Sequence, residues 1–212
     1  MSYITIALAK GRLADLSMDL LEHCGIDCSE ARSSSRKLIF DDDKSGVRLI
    51  LVKPVDVPTY VDHGAADIGI AGSDTVMEYG GSLYEMLDLG FGRCRMVLAG
   101  PDDKSGGIIK ANTRVATKYP NIADDYFRRR GQTVDIIKLN GSVELGPLVG
   151  LSDVIVDLVE TGSTLRENGL HVIDEVCQVS ARLIVNRASL KTKHQTIMDI
   201  VEAVKAFVQK GE

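Results

Sequence analysis

Short runs rich in isoleucine and valine, each separated from the next by a stretch of helical spacing, recur along this whole chain, and that alternation narrows the available folds more than any other feature. Residues 3–9, 47–52, 67–71, 95–99, 134–139 and 153–157 read as strands. Strands spaced by helical crossovers pair in parallel and are covered on both faces, so the expected class is α/β. Between the first two strands Leu13, Leu16, Leu20, Leu21 and Cys24 fall on one helical face, and Gly25 stands where a left-handed cap ends a helix. A second helix is expected over 120–130, stopped by Gly131, and a third over 195–209, with Ile197, Ile200, Val201, Val204 and Val208 on its packing face. The hydrophilic stretches 41–46 and 101–110 read as surface turns.

Two segments of the chain resemble each other. Gly64-Ala65-Ala66-Asp67-Ile68-Gly69-Ile70 and Gly150-Leu151-Ser152-Asp153-Val154-Ile155-Val156 both place Gly-x-x-Asp before a strand, and both lead into a polar turn containing glycine, at 71–74 and 161–164. Two similar α/β lobes facing a cleft explain the likeness; a chance match within ordinary α/β grammar is the alternative. The 212 residues, 44% hydrophobic with only five prolines, bury a sizeable core as one large domain or two small lobes.

A formal charge of -5 argues against broad nucleic-acid or anionic-membrane binding, while leaving room for a local anion pocket. The start of the chain lacks the cationic and apolar character of a leader and no segment approaches membrane-spanning length, so the expected compartment is cytoplasmic. Cys24, Cys28, Cys94 and Cys177 have no paired metal spacing and are expected as reduced, mostly buried thiols. The four histidines lack ligand spacing, and no protein metal ligands are assigned.

The segment Asp157-Leu158-Val159-Glu160-Thr161-Gly162-Ser163-Thr164 runs from a strand into a turn of small hydroxyl residues. Glycine lets backbone N–H groups close round an anion, and Thr161, Ser163 and Thr164 add hydroxyl donors, while Asp157 can accept from the vicinal hydroxyls of a ribose. The bland reading is a helix capped by Thr161 or Ser163 with nothing bound. Lys10-Gly11-Arg12 stands where strand one meets helix one, on the usual ligand side of an open α/β sheet. Ser35-Arg36-Lys37 and the pair Arg93 and Arg95 are further cationic clusters. In Asn140-Gly141-Ser142-Val143-Glu144, Ser142 is placed to cap a helix with Glu144 in its first turn, or Glu144 stands at a cleft rim to meet a substrate.

These segments together, with Asp56 to Val61, His63 to Gly72, Ala116 to Asn121 and Ile136 to Glu144, resemble the ATP phosphoribosyltransferase family over nearly the whole chain. The resemblance implies two α/β lobes around a cleft, as in bilobal periplasmic binding proteins, with residues 1–92 plus 181–212 as a discontinuous first lobe and 93–180 as the second. It implies the short form of the family, a catalytic subunit joining ATP to phosphoribosyl pyrophosphate at the head of histidine biosynthesis. Its partner would be a regulatory subunit resembling histidyl-tRNA synthetase, with a homodimer inside the hetero-oligomer and Mg²⁺ carried by the pyrophosphate.

Residue by residue, the resemblance puts Arg12 and Arg36 on the pyrophosphate as catalytic groups. The loop Glu160, Thr161, Gly162, Ser163 and Thr164 would hold the 5-phosphate and Asp157 the ribose. Lys10 and Gly11, with Asp67, Gly72 and Asp74, would meet ATP or pyrophosphate, and Glu144 the ribose or metal. The loop carries one acid where commoner phosphoribosyl loops carry two adjacent ones. A non-catalytic bilobal binding protein is the rival from another class, and its export signal is missing; a regulatory ligand-binding domain would carry a DNA-binding or effector segment, and none is visible.

Overall fold

The computed structural model describes residues 3–33, 36–101 and 112–210. Ser35, expected in the second cationic cluster, and 102–110 of the expected turn lie outside the described residues. Along the chain run β1 (Ile4–Ala9), α1 (Arg12–His23), α2 (Ser29–Arg32), β2 (Ile39–Asp42), β3 (Val47–Val52), α3 (Val57–Asp62), β4 (Ile68–Gly72), α4 (Ser73–Tyr79), β5 (Tyr84–Asp88) and β6 (Cys94–Gly100). There follow β7 (Thr113–Thr117), α5 (Pro120–Arg129), β8 (Val134–Lys138), α6 (Leu145–Leu148), β9 (Val154–Val159), α7 (Ser163–Glu167), β10 (His171–Val179), β11 (Ala181–Val185), α8 (Arg187–Thr192) and α9 (His194–Lys210). The chain divides into two compact units, Met1–Gly92 with Ser180–Glu212, and Arg93–Val179.

The first unit is built on a six-stranded sheet ordered β2-β3-β1-β4-β11-β5. Its centre is parallel, β1 lying between β3 and β4, and the apolar sequence Ile4-Thr5-Ile6-Ala7-Leu8-Ala9 is buried at every position but Thr5, as a strand covered on both faces must be. One face is closed by Ala14, Met18, Leu20 and Leu21 of α1 together with Ile197, Val201 and Val204 of α9. Helix α1 stops at the glycine foreseen for it: Gly25 has φ +85, and the Ile26 N–H donates back to the Leu21 carbonyl at 3.1 Å. The other face is closed by Val57 and Val61 of α3, which lie over Gly69 of β4.

The second unit repeats this plan. Its five-stranded sheet is ordered β10-β6-β9-β7-β8, so β8-β7-β9 is parallel as β3-β1-β4 is, and an antiparallel strand follows in each, β6 here and β11 there. Ile122, Ala123, Tyr126 and Phe127 of α5 cover one face, and Val143, Leu165 and Leu170 the other. The two Gly-x-x-Asp segments occupy the same place in the two plans. Gly64 and Gly150 both have φ +72, and each lets the chain turn into the third parallel strand. The Asp67 N–H donates to the Thr5 carbonyl and the Asp67 carboxylate accepts from the Thr5 N–H, at 2.8 and 2.9 Å; Asp153 does the same with Arg114, at 2.8 and 2.9 Å. The internal likeness is therefore structural, not a coincidence of small residues.

None of the four cysteines is in a disulfide. Only Cys28 is fully buried, and burial pushes its thiol up to about 12; Cys24, Cys94 and Cys177 are half-buried, less than the sequence reading expected.

Candidate functional site

In the second unit the three parallel strands β7, β8 and β9 end on one edge, and β9 runs to Val159, two residues past its expected end. A recess of about 360 Å³ opens there, lined by Glu144, Asp157 and the residues from Leu158 to Leu165. Of the expected site residues it brings together Glu144, Asp157, Glu160, Thr161, Gly162, Ser163 and Thr164. The turn is shaped by Gly162, whose φ of +75 an L side chain rarely adopts. The Thr161 and Ser163 hydroxyls are 3.1 Å apart, and all three hydroxyl residues of the turn are exposed. Neither Thr161 nor Ser163 occupies the N-cap of α7: Gly162 does, and the Thr161 hydroxyl instead accepts the Ser163 N–H at 3.4 Å within the turn. Arg166, to which the sequence reading gave no part, lies against the turn and donates from Nη1 to the Thr161 carbonyl at 3.2 Å. Its place within the first turn of α7, three residues past Ser163, was the available signal.

Asp157 is partly buried in β9 and accepts the Leu158 N–H at 2.8 Å. Burial pushes its carboxyl above the ordinary range, the nearby Glu144 adds to this, and the Leu158 N–H and Lys118 pull the other way. The expected Ser142 cap does not form. Ser142 takes φ +48 and gives its carbonyl to the Leu145 N–H at 3.1 Å, so α6 begins at Leu145 and Glu144 stands before its first turn, at the recess.

The first unit carries a second recess, of about 560 Å³, at the carboxyl end of β1. Lys10, Gly11, Arg32, Arg36 and Lys37 line it, with Asp15. Gly11 has φ +99 and opens α1, a turn only glycine makes without strain. Arg32 is held by Asp19 and Glu22 at 2.5 and 3.0 Å and Lys37 by Glu30 at 2.6 Å, whereas Lys10 and Arg36 have no carboxylate partner among the described residues. Arg12 is the exposed first residue of α1, outside the lining of this recess. Arg95 is spent on Glu175 at 3.6 Å.

Besides Arg12, three expected residues, Asp67, Gly72 and Asp74, line neither recess. Asp67 precedes β4, at the opposite end of the strand from the ligand edge, and is buried with Lys193 Nζ at 2.8 Å from its carboxylate; it is a structural ion pair. Asp74 is buried and turned back on the chain, so that a Cβ added to Gly72 would lie 2.1 Å from Asp74 Oδ1. The Ser73 N–H is taken by the Ser180 carbonyl at 2.9 Å. In the structure this turn is filled by its own carboxylate.

The family model described as HisG, ATP phosphoribosyltransferase, matches residues 53–206. The chain belongs to the ATP phosphoribosyltransferase family. It is 58% identical over 207 residues to the ATP phosphoribosyltransferase of Ruminiclostridium cellulolyticum, covering 97% of each chain. A solved structure from Thermotoga maritima, the ATP phosphoribosyl transferase (HisG:HisZ) complex, superposes with a TM-score of 0.84 at 36% identity, covering 98% of this chain and 99% of that one. The substrate-binding protein of an amino acid ABC transporter shares the fold, with a TM-score of 0.59 at 14% identity. The family's activity, joining ATP to phosphoribosyl pyrophosphate as the first step of histidine biosynthesis, makes this chain a pentosyltransferase with pyrophosphate chemistry.

Proposed function

We propose that this ATP phosphoribosyltransferase holds the 5-phosphate of phosphoribosyl pyrophosphate in the turn from Glu160 to Thr164 and the ribose hydroxyls on Asp157. The observation that carries this reading is the recess itself, in which exposed hydroxyls and a glycine-shaped turn adjoin a carboxylate raised on the end of β9. Backbone N–H groups and hydroxyls suit three phosphate oxygens, and a carboxylate suits a diol. Lys10, Gly11, Arg12 and Arg36 receive pyrophosphate or the polyphosphate of ATP, where cations without a carboxylate partner such as Lys10 and Arg36 are of most use.

In the reaction the N1 lone pair of adenine forms a bond to C1 of the ribose as the bond from C1 to the pyrophosphate oxygen breaks, and that oxygen keeps the electron pair. Positive charge develops on the sugar and negative charge on the leaving group. N1 carries its own lone pair, so the chain supplies no general base. Catalysis rests on alignment and on arginine charge that meets the pyrophosphate as it departs.

Glu144 and Asp157 offer hard oxygen donors in one recess, a number that suits Mg²⁺, which keeps several waters and is bound through one or two carboxylates together with substrate phosphates. When bound, the ion neutralises pyrophosphate charge. Among the described residues no group of three or more histidine, cysteine, aspartate or glutamate side chains that could hold a metal ion forms. The cytoplasm, where ATP is made, is the proposed compartment.

The Thermotoga maritima structure is titled a HisG:HisZ complex. We infer that this chain likewise works with a regulatory subunit, one resembling histidyl-tRNA synthetase, within a hetero-oligomer containing pairs of this chain. The test mixes ATP, phosphoribosyl pyrophosphate and Mg²⁺ with the chain and that partner and follows the ultraviolet absorbance of the adduct. Adduct formation that is lost when Thr161, Ser163 and Thr164 are replaced by Val, Ala and Val is the expected result. Full activity in that triple variant would overturn the assignment of the turn.

A further inference from the structure

The recess of the second unit poses an electrostatic problem. Its lining includes three acids, Glu144, Asp157 and Glu160, and no lysine or arginine, yet the ligand proposed for it carries phosphate at both ends. Like charges held this close disfavour one another, and hydroxyls and N–H groups offset only part of that cost. A cation belongs here, and Arg166 is already held on the Thr161 carbonyl.

Lys118 lies outside that lining, at the end of the strand beside β9. It is the first residue past β7, and the last residue of β7, Thr117, is in register with Val156 of β9, next to Asp157. Thr117 is fully buried and fixes this exit on both sides: its hydroxyl donates to the Val156 carbonyl at 2.7 Å and accepts the Tyr119 N–H at 2.9 Å. The clamp holds the Lys118 backbone against the end of β9. The ammonium lies 5.6 Å from the centroid of the buried Tyr119 ring, and the side chain is half-buried with no carboxylate within ion-pair distance among the described residues. Its charge is the weakest of the four influences on the Asp157 carboxyl, and it opposes the rise that burial causes. The first unit has a related feature, since β1 is followed directly by Lys10, which lines the cationic recess there. The two lysines differ by one position when Thr5 and Arg114 are aligned through their bonds to Asp67 and Asp153.

We propose that Lys118 is a further substrate-binding residue of this enzyme, its ammonium meeting the pyrophosphate on C1 of the bound phosphoribosyl pyrophosphate. This role of Lys118 rests on the proposed placement of the 5-phosphate in the turn from Glu160 to Thr164. With that placement and the ribose on Asp157, the second phosphate group hangs from C1, and Lys118, leaving β7 next to Asp157, is the lysine that the strand register offers to it. Lys118 transfers no proton. It opposes the negative charge that gathers on the pyrophosphate oxygen as the bond to C1 breaks, and it offsets the acids in the meantime.

The inference is tested with Lys118→Met, which keeps the length of the side chain, and Lys118→Arg, which keeps the charge, in the full chain with its regulatory partner. Pyrophosphate and ribose 5-phosphate are titrated separately by calorimetry. Lys118→Met is expected to weaken pyrophosphate by about tenfold or more, the range of a charge-assisted hydrogen bond, and to leave ribose 5-phosphate within about twofold. Lys118→Arg is expected to keep most of the pyrophosphate affinity. Unchanged pyrophosphate affinity in Lys118→Met overturns the inference, and so does an equal loss for both ligands, which marks a disturbed recess. If Ser163→Ala and Thr164→Val bind ribose 5-phosphate as well as the parent does, the loop reading fails and takes this inference with it; loss in those variants alongside unchanged pyrophosphate affinity in Lys118→Met sinks the inference alone.

Discussion

Asp157 works against the fold, a cost that the ribose contact proposed for it would explain. Its carboxyl is raised above the ordinary value of 3.8 chiefly by burial, so the folded chain holds that proton more tightly than the unfolded chain does. The sign follows from linkage: the contribution is present below the ordinary value and is lost as pH rises through the raised one. At neutral pH the free enzyme therefore carries a partly buried charge at some cost in stability. Asp157→Asn is expected to melt higher than the parent at pH 7, with the gap narrowing as pH falls toward 4, and to lose about tenfold or more in kcat/KM for phosphoribosyl pyrophosphate. Thermal melts at the two pH values and steady-state kinetics check both halves, and a variant that melts lower at pH 7 contradicts the account. Arg12 gives a second residue-level expectation. Charge on the departing pyrophosphate grows only as the bond breaks, so Arg12→Ala should lower kcat by a larger factor than it raises KM. A change confined to KM shows that Arg12 supplies uniform binding. In the sequence, a strand end marks Asp157 and a glycine turn marks Arg12, both features of the ligand edge of an α/β sheet; what sequence does not say is that Lys193, far along the chain, pairs with Asp67 and that Asp74 folds back on Gly72.

At the scale of elements, what the chain declares locally is what was read. β1, β3, β4, β6, β8 and β9 are mainly apolar and were found within a residue or two of their ends. β10 was missed: it is an antiparallel edge strand with two register shifts and an exposed, polar sequence, His171-Val172-Ile173-Asp174-Glu175, that carries neither alternation nor a buried run. β11 is apolar but five residues long, and its place between β4 and β5 depends on partners more than ninety residues away in sequence. The equivalent turns after β4 and β9 look alike as sequences and differ in space, one closed by Asp74 and the other open with three exposed hydroxyls. Close approach of elements is also invisible until built. Gly69 sits under α3, where a Cβ would lie 2.7 Å from Val61 Cγ2, 2.9 Å from Val57 Cγ1 and 3.1 Å from Ile184 Cγ1. Gly69→Ala must push α3 off β4, and overpacking of this kind costs about 1–3 kcal/mol. Urea denaturation checks it, and a loss below about 0.5 kcal/mol would mean that α3 yields freely.

At the scale of the whole molecule, the chain has built one plan twice, with a separate apolar core in each copy and the first copy completed by β11, α8 and α9 from the far end of the sequence. Sequence disclosed the repeat through two Gly-x-x-Asp segments, but not that both aspartates tie the third parallel strand to the first. Their ion pairs differ in setting. Asp67 is almost fully buried against Lys193, while Asp153 and Arg114 are each about a third or more exposed. Removing one partner of a buried pair costs roughly 3–5 kcal/mol, and Lys193, itself a third exposed, brings the cost of Asp67→Ala toward the lower end of that range. Asp153→Ala, in a pair open to solvent, loses mainly the bond from the Arg114 N–H, about 1 kcal/mol. Because each aspartate is bonded within its own unit, the damage should stay there. Hydrogen exchange followed by mass spectrometry is expected to show faster exchange in β1, β4 and β11 for Asp67→Ala with β7 and β9 unchanged, and the reverse pattern, smaller in size, for Asp153→Ala. Equal deprotection of both sheets by either substitution would mean that the two copies open as one cooperative body, and that the repeat is a matter of descent without any independence in folding.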